Sequence, residues 1–76
     1  MQIMNDETGT HITLAVCGTP YTLYVSPANL AEIKRIYYSG MDVTKYIKDV
    51  MRDEFVAIED ELVMQLAKLN QFQLAL

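Results

Sequence analysis

The sequence predicts an α+β fold in the order β-hairpin, short helix, long C-terminal helix (ββαα), assembled as a dimer. Three observations predict it. Between Thr10 and Val25 the apolar residues alternate, the period of a half-buried strand. From Leu30 they recur every three or four positions, the period of a helix. From Ile47 to Leu69 an apolar seam runs on with no Gly or Pro to interrupt it.

Residues 1–9 are polar, end in Gly9 and read as a flexible arm. The hairpin spans 10–25. Its first run puts Ile12, Leu14 and Val16 on one face and His11, Thr13, Ala15 and Cys17 on the other. Gly18-Thr19-Pro20 supplies the turn. The second run puts Tyr21, Leu23 and Val25 on one face and Thr22 and Tyr24 on the other. β-Branched and aromatic residues dominate both runs.

Ser26-Pro27 reads as a helix start. Ser is a preferred N-cap, and Pro is tolerated at the first helical position because its missing N–H has no partner there. Val25 and Leu30 stand where a hydrophobic staple would place them. The first helix is predicted over 27–39, with Leu30, Ile33, Ile36 and Tyr37 as its apolar face and Gly40 as the residue that ends it. Asp42 caps a second helix over 43–72, roughly 40 Å long at 1.5 Å per residue. Its seam is Ile47, Met51, Phe55, Ile58, Leu62, Leu66 and Leu69.

A helix this long overreaches a hairpin and one short helix. It also carries a second stripe. At about 100° per residue, Val56, Val63, Ala67 and Leu74 cluster on the side away from Ile58. That side needs a second surface or stays exposed. The chain has 76 residues, too few for a large monomer core, yet 51% of them are apolar. A homodimer, or a partner protein, is the expected source of further burial. Val56, Val63, Ala67 and Leu74, with Tyr24 and Tyr38, are the candidate partner or dimer interface, because Tyr offers large amphipathic contact area.

The single cysteine, Cys17, cannot form a disulfide within the chain and fits a reducing compartment. No stretch has the length of a membrane span, and the start lacks the pattern of a secretion signal, so a cytoplasmic chain without membrane contact is expected. The net charge of −4 disfavours non-specific nucleic-acid binding. The middle is basic, with Lys34, Arg35, Lys45, Lys48 and Arg52 against Glu32, Asp42 and Asp49.

Catalytic signals are missing. His11 and Cys17, six residues apart on a strand, stand about 20 Å from each other and form no dyad. Asp53, Glu54, Glu59, Asp60 and Glu61 do not repeat a metal-ligand spacing, and read as a solvated acidic face rather than a Mg²⁺ site. No phosphate loop or zinc spacing occurs. The expectation is a non-enzymatic chain with no catalytic residues, no metal site and no cofactor.

Tyr21-Thr22-Leu23-Tyr24-Val25, the face Leu30, Ile33, Ile36, and the segment Gly40-Met41-Asp42-Val43-Thr44-Lys45-Tyr46-Ile47-Lys48 together resemble the ribbon-helix-helix family of dimeric DNA-binding regulators. The resemblance covers about 30 residues. It implies a paired ribbon in the major groove, with Thr22 and Tyr24 facing the bases and Lys45 and Lys48 near phosphate. Thr22 and Tyr24 are not base-reading side chains of the usual kind, and the second helix is long for that family. The principal expectation is therefore a small acidic protein-interaction or regulatory module that occludes a partner protein with an acidic, Tyr-bearing surface. Accessory and inhibitory proteins of phages and mobile elements are often of this kind. A DNA-binding transcriptional regulator is the alternative.

Overall fold

The chain is a β-meander backed on one face by two helices. The computed structural model describes the backbone of residues 1–74 and the side chains through residue 69. Among these described residues five strands pair antiparallel in chain order: β1 (Gln2–Asp6), β2 (Gly9–Val16), β3 (Thr19–Ser26), β4 (Asn29–Tyr38) and β5 (Met41–Asp42). Two helices follow, α1 (Thr44–Asp49) and α2 (Arg52–Leu74).

Tight turns explain why the meander forms. The strands close at the pairs Asp6–Gly9, Val16–Thr19, Ser26–Asn29 and Tyr38–Met41, leaving two residues in each turn. In Cys17-Gly18 and Ser39-Gly40 both turn residues have positive φ (50° and 84°, 49° and 79°). That is the signature of a type I′ turn, whose twist matches the twist of the strands it joins. In the first turn Asp6 Oδ1 accepts the Thr8 N–H at 2.8 Å.

The ββαα order is thus corrected to a five-stranded antiparallel sheet followed by two helices, a β-rich α+β fold. Three parts of the prediction change. The arm over residues 1–9 contains β1, which pairs with β2 and sets Ile3 against the core. Its polar sequence is what an edge strand tolerates. The helix predicted over 27–39 is a turn followed by β4. Ser26 pairs with Asn29 across Pro27-Ala28, and the fixed φ of Pro that suits a helix start suits a turn equally well. Gly40 has the left-handed φ expected of a helix terminator, but uses it in a hairpin.

The helical spacing of Leu30, Ile33 and Ile36 has a specific cause. Opposite β3 the register shifts: Tyr24 pairs with Arg35, and Val25 with Ile33. Lys34 is therefore an extra residue, a β-bulge. The bulge stretches the buried repeat from two residues to three, so Ile33 and Ile36 both reach the core. A second shift lies between Val25 and Ser26.

The third change is in the helix predicted over 43–72, which is broken at Val50-Met51. The N–H groups of Val50 and Met51 both bond to the Tyr46 carbonyl, at 2.9 and 3.1 Å. Ile47 of α1 and Ile58 and Leu62 of α2 lie against the same sheet face. Asp42 is not the cap expected of it: it ends β5, Val43 precedes α1 with no side-chain cap bond, and Asp42 Oδ1 accepts the Thr44 N–H two residues on at 3.0 Å.

The core lies between the sheet and the helices. Ile12, Leu14 and Val16, then Tyr21, Leu23 and Val25, then Ile33 and Ile36, meet Ile47, Ile58 and Leu62. Phe55 and Leu66 are half-buried against this cluster, while Met51, at the break, and Leu69 are more exposed. The 23 residues of α2 span roughly 35 Å, longer than the roughly 27 Å of an eight-residue strand.

Candidate functional site

The fold leaves three surfaces with unusual side chains. The first is the outer side of α2. Val56, Val63 and Met64 are 52%, 55% and 53% exposed, on the side turned away from the buried Ile58 and Leu62. Ala67 is exposed as well, and Leu74 lies outside the described side chains. Glu59 and Asp60 fall between Val56 and Val63 at helical spacing, so the stripe is apolar with acidic members.

The second is a groove of about 170 Å³ beside the α1–α2 break, lined by Thr19, Tyr21, Tyr38, Val43, Tyr46, Ile47 and Met51. The rings of Tyr21 and Tyr38 are 6.0 Å apart. Behind the groove the Tyr21 hydroxyl donates to Glu54 Oε2 at 2.6 Å, tying β3 to the first turn of α2. Burial of the phenol, then this hydrogen bond and the Glu54 charge, with a smaller effect of Tyr38, push the Tyr21 pKa up to about 12. Lys48 sits 5.6 Å from the centre of the Phe55 ring and ties α1 to α2.

The third is the sheet face that the helices leave open. Register places Met4, His11, Tyr24 and Arg35 in one row across four strands, and Gln2, Thr13, Thr22, Tyr37 and Asp42 in the next. The His11 and Tyr24 rings meet at 5.1 Å edge to face, and Tyr24 and Tyr37 at 5.3 Å with a 53° tilt. His11 Nε2 lies 3.2 Å from Asp6 Oδ2 and has no other polar partner. Thr8, by its side-chain and backbone hydrogen bonds, holds the Asp6 carboxyl below its ordinary range; His11 adds a smaller charge effect. Asp42 is lowered likewise, first by the Thr44 hydroxyl and backbone, with Arg35 contributing less.

The predicted site residues are therefore dispersed. Val56, Val63 and Ala67 do come together on one side of α2. Tyr38 belongs to the groove, and Tyr24 to the opposite, open face. The candidate nucleic-acid contacts split in the same way. Thr22 and Tyr24 stand on the open face, whereas Lys45 and Lys48 lie on α1 in the helical layer. Leu30, Ile33 and Ile36, which carried the first helix of the ribbon-helix-helix resemblance, are in β4.

Lys34, Arg35 and Tyr37 were hidden by the helical reading of this segment. The signal that reveals them is the recurrence of turn residues at Gly9, Gly18, Pro27 and Gly40, about ten residues apart, which marks successive hairpins. Chemically the described residues offer contact surface and charge. No three His, Cys, Asp or Glu side chains converge among them, and no helix there is long and apolar enough to cross a membrane. No family model matches the chain, and no curated protein or solved structure matches it.

Proposed function

We propose that the chain is a non-enzymatic protein-interaction module that self-associates through the outer stripe of α2 and acts by covering a partner protein. The observation that carries this reading is the stripe itself: Val56, Val63 and Met64, each more than half exposed, on the side of α2 opposite the residues that hold it to the sheet. Completing the burial of a half-exposed Val is worth about 1 kcal/mol, so a row of such residues favours a second apolar surface.

Sedimentation of the wild type and of Val63→Asp tests the reading. The wild type should sediment as a dimer, and the charged variant, with an unchanged circular dichroism spectrum, as an 8.7 kDa monomer. Equal masses for the two proteins would remove the stripe from the interface.

A further inference from the structure

We infer that the open sheet face carries a nucleotide-binding site, at the end where the β1–β2 and β3–β4 turns meet. A cavity of about 510 Å³ lies there, within the size range of small-molecule sites. Tyr24, Tyr37, Lys34, Arg35 and Thr8 are among its walls.

The bulge in β4 creates the site's charge. Ile33 and Ile36 both pack into the core. Lys34 and Arg35 stand between them, and both line the cavity on the other side. A regular strand would have sent one of the two to the core face, since side chains alternate. Two adjacent exposed cations suit a phosphate group. Tyr24 and Tyr37 supply the other half of the recognition. They sit on neighbouring strands, half-buried and braced by each other and by His11, and present aromatic surface on which a base can stack.

Half of the chain's carboxylates lie away from this site. Asp53, Glu54, Glu59, Asp60 and Glu61 are all on α2, behind the sheet. Asp6 and Asp42 stay ionised, Asp6 against His11 and Asp42 near Arg35, and Glu7 in the β1–β2 turn and Glu32 in β4 are exposed, so the cationic pair Lys34 and Arg35 acts within a mixed local field. The ligand is thus a planar base joined to phosphate, either a free mononucleotide or one unit of a single strand. The site uses neither the α2 stripe nor Lys45 and Lys48.

Amide NMR titration of the full chain with adenosine monophosphate, a short oligothymidylate and inorganic phosphate tests the assignment. Nucleotide should shift the signals of Thr8, Tyr24, Lys34, Arg35 and Tyr37. The oligomer binding about tenfold more tightly than the monomer identifies a single strand as the source, and equal or better binding of the monomer identifies free nucleotide. Lys34→Glu with Arg35→Glu should weaken binding by about tenfold or more and flatten its salt dependence. Lys45→Glu with Lys48→Glu should leave it unchanged. Both pairs are exposed or half-exposed, and unchanged signals from the core will show that the fold survives. Three results overturn the proposal: no shifts at the five residues at millimolar ligand, retained affinity in the Lys34/Arg35 variant, or inorganic phosphate binding as well as the nucleotide. The last would leave an anion site without base recognition.

Discussion

Replacing Thr44 by Val separates a polar contribution from a packing one at the point where the sheet gives way to the helices. β5 is only two residues long, so it cannot complete the ladder along β4. Beyond it, the Ile36 carbonyl accepts the Val43 N–H at 2.9 Å, and the Ile36 N–H donates to Thr44 Oγ1 at 2.8 Å. The Thr44 side chain thus takes the place of a strand residue. Ile36 is fully buried, so Thr44→Val, which keeps the shape and removes the oxygen, leaves its amide without a partner. An orphaned buried N–H costs about 1–3 kcal/mol. The hydrogen bond from the Thr44 hydroxyl to Asp42 is exposed and adds little. A loss of about 2 kcal/mol lowers Tm by roughly 8–16 °C in a domain of this size. Thr44→Ser keeps the oxygen and should stay within about 1 kcal/mol of wild type. Thermal unfolding followed by circular dichroism, at one fixed protein concentration so that any self-association weighs equally on each variant, gives both values. Amide exchange at Ile36 should accelerate in Thr44→Val only. If Val and Ser variants melt together, or if Val melts with the wild type, the hydroxyl does not substitute for the missing strand.

Two further outcomes follow from the geometry. Tyr21, pushed up to about 12 by burial and by Glu54, should appear in an absorbance titration as a phenol ionising well above the ordinary tyrosine value, and that late step should vanish in Tyr21→Phe. Its folded pKa is raised, so the stability it contributes is complete below about pH 10, the ordinary tyrosine value, and is lost as pH rises through about 12; a Tyr21→Phe protein with the same alkaline unfolding curve as wild type would contradict this. Cys17 holds a left-handed φ of 50° ahead of Gly18. Asn suits that position and should stabilise by about 0.5–1 kcal/mol, whereas Val should destabilise by about 1 kcal/mol or more; urea midpoints that do not separate the two would argue against the turn type.

Much of the core was legible because period and burial coincide in regular elements. The alternation around Ile12, Leu14, Leu23 and Val25 correctly marks the inner face of β2 and β3, and the seam through Ile47, Ile58 and Leu62 marks the residues that bury against it. The exposed stripe of α2 was legible for the same reason: Val56 and Val63 cannot share a side with Ile58 at 100° per residue. The open face was not legible beyond His11 and Thr13 of β2 and Thr22 and Tyr24 of β3. Its other contributors come from β4, where the bulge disguises a strand as a helix, and from β1, whose polar residues carry no period of their own.

The sequence by itself determined the local rules: which residues of β2 and β3 face inward, that a helix begins beyond Asp42, which side of α2 is apolar, and that Cys17 has no partner cysteine. Those follow from spacing and side-chain chemistry within a few residues. Only the tertiary structure decided whether Asn29–Tyr38 would be strand or helix and whether residues 43–72 would stay in one rod. An apolar spacing of three fits a helical turn and a bulged strand alike. β3 offers a free edge whose N–H and C=O groups need partners, and pairing there satisfies them. No Gly or Pro marks the bend at Val50-Met51, where the Tyr46 carbonyl takes both N–H groups, and Ile47 and Ile58 share one helical side with or without it, so the seam alone does not reveal the break.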